Sequence, residues 1–171
     1  MQRLEFKSQI TADDVGVITG IAWPFNAGPD RVGDEITKGA FASAKTPLPL
    51  LFAHDPEQPV GVWDSVAEAD EGLVVKGKLL IEQVARAKEI HALVKAGALA
   101  GLSIGFVTRK AAPRRGGGRT ITNLELMEIS LVSIPAHPRA RITGAKDATA
   151  AIRIAEALQR AASALRTPQG N

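Results

Sequence analysis

The sequence predicts a mainly β domain with helices (α+β), an antiparallel barrel or sandwich with helices packed outside. Three observations predict it. Over the first two thirds, short apolar runs are broken by Gly, Pro and Asp clusters, the punctuation of strands and turns. Only one internal stretch changes to a helical period, and no regular strand–helix alternation signals a doubly wound sheet. At 171 residues the chain is long enough to bury a core, and no internal repeat divides it.

Element by element, residues 1–7 alternate polar and apolar, read as a first strand and lack the apolar centre of a signal peptide. Residues 16–23 form a strand that stops at Pro24, and the turn formers of 26–34 make a loop. Thr37 caps a short helical turn through Phe41 and Ala44. The run 47–54 is the next strand, ending at an Asp55-Pro56 turn, and 60–66 with 72–79 forms a hairpin. From 82 to 96, Val84, Ala87, Ile90, Leu93 and Val94 keep the spacing of an amphipathic helix, which Gly97 stops. Strands return at 99–108 and 121–134, separated by a glycine–arginine loop at 113–119. Residues 147–165 are alanine-rich, with Ile152, Ala155, Leu158, Ala162 and Leu165 on one stripe, and form a helix before a frayed tail. The organisation expected is a barrel domain over 1–144 and a C-terminal helix and tail over 145–171.

Composition excludes several classes. Without cysteine there are no disulfides, thiolate metal sites or Cys nucleophile, and a reducing cytoplasm fits. No run of about 18 apolar residues exists to span a membrane as a helix. The net charge of +3 is small, and its excess is local: Arg109, Lys110, Arg114, Arg115 and Arg119 surround a triple glycine. Tyrosine is absent and few aromatics interleave these basic residues, so base stacking has little to work with. A solvated loop is the better reading than a nucleic-acid surface.

The chemistry concentrates in three strand-like segments. Residues 101–106 read Gly-Leu-Ser-Ile-Gly-Phe; Ser103 shares a face with Gly101 and Gly105, so nothing bulky crowds its hydroxyl. His54 ends the run in which Leu48, Leu50 and Phe52 share its face. Met127, Ile129 and Leu131 form an apolar face, and Glu128 with Ser130 projects oppositely, where polar groups need partners if covered. Nucleophile, base and carboxylate, in the order His54, Ser103, Glu128, are the parts that hydroxyl attack on a carbonyl requires. Together they support a serine protease.

Each residue also has a plainer reading. His54 could cap a strand end, and a serine between glycines is often only a small residue at a close backbone approach. Glu128 could be a solvated residue, with Glu125 a nearby competitor. Asp55 caps a turn rather than orienting the ring, and His91 belongs to helix packing. His137, between Ala136 and Pro138, could replace Glu128 as third member or line the cleft. Residues 101–105 also satisfy G-x-S-x-G, but strand rather than helix follows the serine, and no carboxylate-then-histidine order comes after it, so the nucleophile-elbow reading fails.

With these segments in order, residues 1–142 resemble the prohead (capsid maturation) serine proteases of tailed bacteriophages, which look related to the assemblin proteases of herpesviruses. The resemblance rests on Gly20-Ile21-Ala22, Gly39-Ala40-Phe41, Leu50-Leu51-Phe52-Ala53-His54-Asp55 and Pro59-Val60-Gly61. It continues through Gly72-Leu73, Leu102-Ser103-Ile104-Gly105-Phe106, and Glu128-Ile129-Ser130-Leu131-Val132 leading to Pro135-Ala136. It implies a closed, assemblin-like β-barrel surrounded by helices, His54 as base, Ser103 as nucleophile and Glu128 as third member. Backbone donors near Arg139 and Arg141 are the expected oxyanion hole. It implies a mechanism without metal or cofactor. The implied substrates are the scaffolding segment of the major capsid protein and the protease itself, cut in the bacterial cytoplasm inside the assembling prohead. The helix at 147–165 could target the shell, support a homodimer or simply pack on the barrel. A non-catalytic capsid assembly or scaffolding protein with the same barrel is the rival; it would have no use for His54, Ser103 and Glu128 together. The loop at 113–119 looks like a variable insertion.

Overall fold

A computed structural model describes residues 12–143 of the chain. The strand expected at 1–7 and the helix and tail expected at 145–171 lie outside the described residues. The strands are β1 (Val17–Pro24), β2 (Glu35–Ile36), β3 (Leu48–Phe52), β4 (Asp55–Glu68), β5 (Gly72–Leu79), β6 (Gly101–Pro113), β7 (Arg119–Val132) and β8 (Arg141–Thr143). Seven of them run in the order β7-β3-β4-β5-β1-β8-β6, and β6 pairs back onto β7 to close a barrel. The expected barrel is therefore present and the sandwich is not.

Two features differ from expectation. The barrel is not wholly antiparallel, because β3 and β7 run parallel, with Leu51 level with Ser130. Of the expected outer helices, α1 (Ala85–Lys95) packs on the barrel, and the one at 147–165 falls outside the described residues. Helix α1 buries Ala87, Ile90 and Val94 of the stripe predicted from its period against β4 and β5, while Leu93 of that stripe is exposed. Residues 37–44 form successive turns rather than a helix; Glu68 accepts hydrogen bonds from the Gly39 and Phe41 N–H groups there.

Strand alternation sends one face of each strand into a single apolar core that includes Ile18, Leu50, Trp63, Leu73, Leu102, Leu124, Ile129, Leu131 and Ile142. Burying each such side chain contributes about 1.5–3 kcal/mol before conformational entropy is counted. The indole N–H of fully buried Trp63 donates to Ile129 O at 2.9 Å, which satisfies its polar atom and ties β4 to the middle of β7.

The glycine–arginine loop is not simply solvated. It is the tip of the β6–β7 hairpin and lies against residues 30–36. Gly116, Gly117 and Gly118 all have positive φ, and a Cβ on Gly118 would overlap the Gly33 backbone. Arg114 donates to Gly33 O at 2.8 Å and pairs with Glu35 at 3.2 Å. Both the backbone N–H and the guanidinium of Arg119 bind the buried Asp34 carboxylate.

The Arg119 hydrogen bonds hold the Asp34 carboxyl below its usual range, against the opposing effect of burial. The resulting stabilisation is complete above the unfolded-state value near 3.9 and is lost as pH falls through the lower folded value. Asp34→Asn should therefore lower the urea midpoint at pH 7, and the gap to the unsubstituted chain should narrow steadily below about pH 4.

Candidate active site

Three neighbouring strands, β6, β7 and β3, build the site. On β6 and β7, Ser103 stands opposite Ser130 and Gly105 opposite Glu128. Alternation turns Leu102, Ile104, Ile129 and Leu131 to the core and leaves Ser103, Gly105, Glu128 and Ser130 together on the outer face. The predicted nucleophile and carboxylate thus share one patch of sheet on adjacent strands, as diagonal neighbours roughly 7–8 Å apart across the ladder.

The histidine arrives from the other side of β7. Phe52 pairs with Asp55, so β3 and β4 are joined by a two-residue turn, Ala53-His54. Both residues have positive φ, 56° and 61°, the signature of a type I′ hairpin turn. The turn is thus two residues earlier than the expected Asp55-Pro56, which instead begins β4. Two hydrogen bonds to β7 hold it: Ala53 N–H donates to Leu131 O at 3.0 Å, and His54 N–H to Ser130 Oγ at 3.0 Å.

From this turn the His54 ring meets the carboxylate. His54 Nδ1 lies 2.7 Å from Glu128 Oε1, and Ser130 Oγ donates to Glu128 Oε2 at 2.6 Å. Glu128 is 13% exposed and the His54 side chain 44%, so the pair is anchored at its carboxylate end and open at the ring. The hydrogen bond to Glu128 is the largest influence on the imidazole and raises its pKa above 6.5, with burial opposing. Gly105 makes the arrangement sterically possible: a Cβ there would overlap Glu128 Oε1 and crowd Cγ and Cδ. The carboxyl oxygen that holds His54 therefore lies over the residue two places beyond Ser103.

Ser103 is 4% exposed, and among the described residues its hydroxyl makes no hydrogen bond, to His54 or to any other group. Hydrogen bonds between nucleophile and base are often unmade in a site without substrate. The other candidates are occupied elsewhere. Asp55 Oδ1 accepts from Glu57 N–H, as a turn cap would, and Glu125 pairs with Arg109. His91 Nε2 contacts Asp13 O at 2.8 Å. His137 is 2% exposed, edge-on to Trp23, with Nε2 at Gly28 O (3.2 Å) and Nδ1 accepting from Arg139 N–H (3.2 Å). Both ring nitrogens are thus engaged away from His54, and burial lowers the His137 pKa. Of the two expected oxyanion residues, Arg139 has its N–H on His137, and Arg141 lies on β8 level with Gly101.

Sequence reasoning placed Ser130 on the Glu128 face but gave it no role, and it missed the use of Gly105. The signal for both was local: glycines flanking Ser103, and a hydroxyl two residues from the carboxylate on the same face.

The family model described as caudovirus prohead serine protease matches residues 2–154. The chain belongs to that family. It is 36% identical over 138 residues to the prohead protease of Enterobacteria phage HK97, covering 77% of this chain and 60% of the relative. It is 34% identical over 141 residues to the capsid polyprotein of Pseudomonas phage PAJU2, covering 78% of this chain and 20% of that one. The chain thus spans less than two thirds of the length of these curated relatives. Among solved structures it is similar to the KSHV protease in complex with a hexapeptide phosphonate inhibitor, with a TM-score of 0.56 and 16% identity. That match covers 86% of this chain and 76% of the other, and the two share the assemblin barrel.

Gly105→Ala tests the site's geometry without reference to activity. The fold should accept the methyl by moving the end of the Glu128 side chain, so the His54 pKa, read by NMR titration, should fall back towards 6.5.

Proposed function

We propose that this member of the prohead protease family is a serine endopeptidase that cuts the scaffolding segment of a phage major capsid protein, and itself, during prohead maturation. The observation that carries the reading is the His54–Glu128 pair, with its carboxylate lying over Gly105 on the strand of the glycine-flanked Ser103. A structural role for the same residues does not explain an imidazole held at one nitrogen by a carboxylate while its ring stays 44% exposed.

In this mechanism Ser103 Oγ attacks the scissile carbonyl carbon, and His54 Nε2 takes the hydroxyl proton and then delivers it to the leaving amine. Glu128 holds Nδ1–H and stabilises the imidazolium. Water then repeats the sequence on the acyl-enzyme, with His54 again as base. The oxyanion donors are assigned to the backbone of residues 139–141. Arg139 N–H would exchange its 3.2 Å bond to His137 for the developing oxyanion, an interaction typically worth about 10²–10³ in rate per donor. The assembling capsid in the host cytoplasm is the setting this implies.

Co-expression with the cognate major capsid protein tests the reading. The unsubstituted chain should yield a capsid protein shortened at one site by intact-mass spectrometry. Ser103→Ala should leave it full length, a loss on the order of 10⁶ in turnover; identical cleavage by both would remove the assignment and favour a non-catalytic assembly protein.

Because His54 must be neutral to act as base, its raised pKa sets the acid limb of the kcat/KM profile above pH 6.5. Glu128→Gln should move that limb to lower pH and reduce the plateau by as much as about 10⁴.

A further inference from the structure

A backbone N–H can only donate. Ser130 Oγ therefore accepts at His54 N–H and commits its single proton to Glu128 Oε2. Glu128, as a carboxylate, can only accept, so at Oε1 the proton belongs to His54 Nδ1. The hydrogen bonds form a closed ring from the backbone of His54 through Ser130 and Glu128 back to its own imidazole. Its direction is fixed at both ends, by a peptide N–H that can only donate and a carboxylate that can only accept, and in the neutral ring it leaves Nε2 as the unprotonated nitrogen.

The same hydroxyl supports the backbone. Ala53 and His54 occupy left-handed conformations that glycine or asparagine usually fill, and such residues persist only when the surroundings over-determine them. His54 N–H is one of the two groups fastening this turn to β7, and its acceptor is a side chain rather than a carbonyl. Ser130 is fully buried and faces Ser103 across the ladder, so water cannot replace it without opening the site.

We propose that Ser130 is a positioning residue: its hydroxyl fixes the His54 turn and the Glu128 carboxylate together and so imposes the Nδ1–H tautomer that frees Nε2 as the base. The inference rests on the reading of His54 as the base of a peptidase, but its geometry can be measured apart from turnover.

The test combines ¹⁵N NMR of the His54 ring, recorded above its titration, with steady-state kinetics on a capsid-derived peptide. The unsubstituted chain should show the Nδ1–H tautomer. Ser130→Ala should mix the tautomers, move the acid limb of the pH profile towards 6.5, and lower kcat about 10- to 100-fold with KM little changed. That range is what a hydrogen bond to a charged group typically commands. Ser130→Thr, which retains the hydroxyl, should restore the tautomer and the limb. An Nε2–H tautomer in the unsubstituted chain overturns the proposal, whether or not the variants fold. So does Ser130→Ala with unaltered tautomer, pH profile and kcat. A chain that cuts no peptide, yet shows an Nδ1–H tautomer that Ser130→Ala loses, upholds the role of Ser130 and sinks the peptidase reading instead.

Discussion

One hydrogen bond organises the site: the imidazole at the end of β3 against the carboxylate of β7. Its partners are 74 residues apart in the chain, and only the parallel seam between β3 and β7 brings them level. Much of the local architecture makes room for that contact. Gly105 leaves space for the carboxylate, and Ser130 bonds its second oxygen. Trp63, from the core side, ties down the carbonyl of Ile129 between Glu128 and Ser130. The strand that carries the acid is therefore held from both faces.

The imidazole stands on less favourable backbone. A two-residue turn with positive φ at both positions suits Asn-Gly, and here it is Ala-His. Each such residue costs about 1–3 kcal/mol, offset by bonds from β7 and by the continuous pairing on either side. Strain of this kind has a use, because a tight turn leaves a side chain little freedom and aims it repeatably. A looser loop would let the ring sample positions in which the carboxylate cannot reach it.

Much of this was legible in the sequence, and what was not has a common cause. Period-two alternation separated Ser103, Glu128 and Ser130 from the core face, and the 3.6 period at Val84, Ala87, Ile90, Leu93 and Val94 located α1, although Leu93 is exposed. Both signals are local. The Ala53-His54 turn escaped notice because neither residue is a turn former and the adjacent Asp55-Pro56 is a louder signal. The loop at 113–119 read as solvated because its partners, Gly33, Asp34 and Glu35, lie some 80 positions earlier. Nothing in residues 48–52 announces a parallel neighbour from 129–131. Long-range pairing leaves composition unchanged, and so periodicity cannot report it.

The barrel itself is shared with a herpesvirus protease although only 16% of positions agree, so this fold asks little of any particular residue. The most direct measurement is the rate at which a fluorophosphonate labels the chain, with the modified residue located by peptide mapping. The account predicts a single adduct on Ser103 that forms on the order of 10³-fold more slowly, or not at all, when His54 is replaced by Ala. Labelling spread over several serines, or an unchanged rate in the His54 variant, would contradict it.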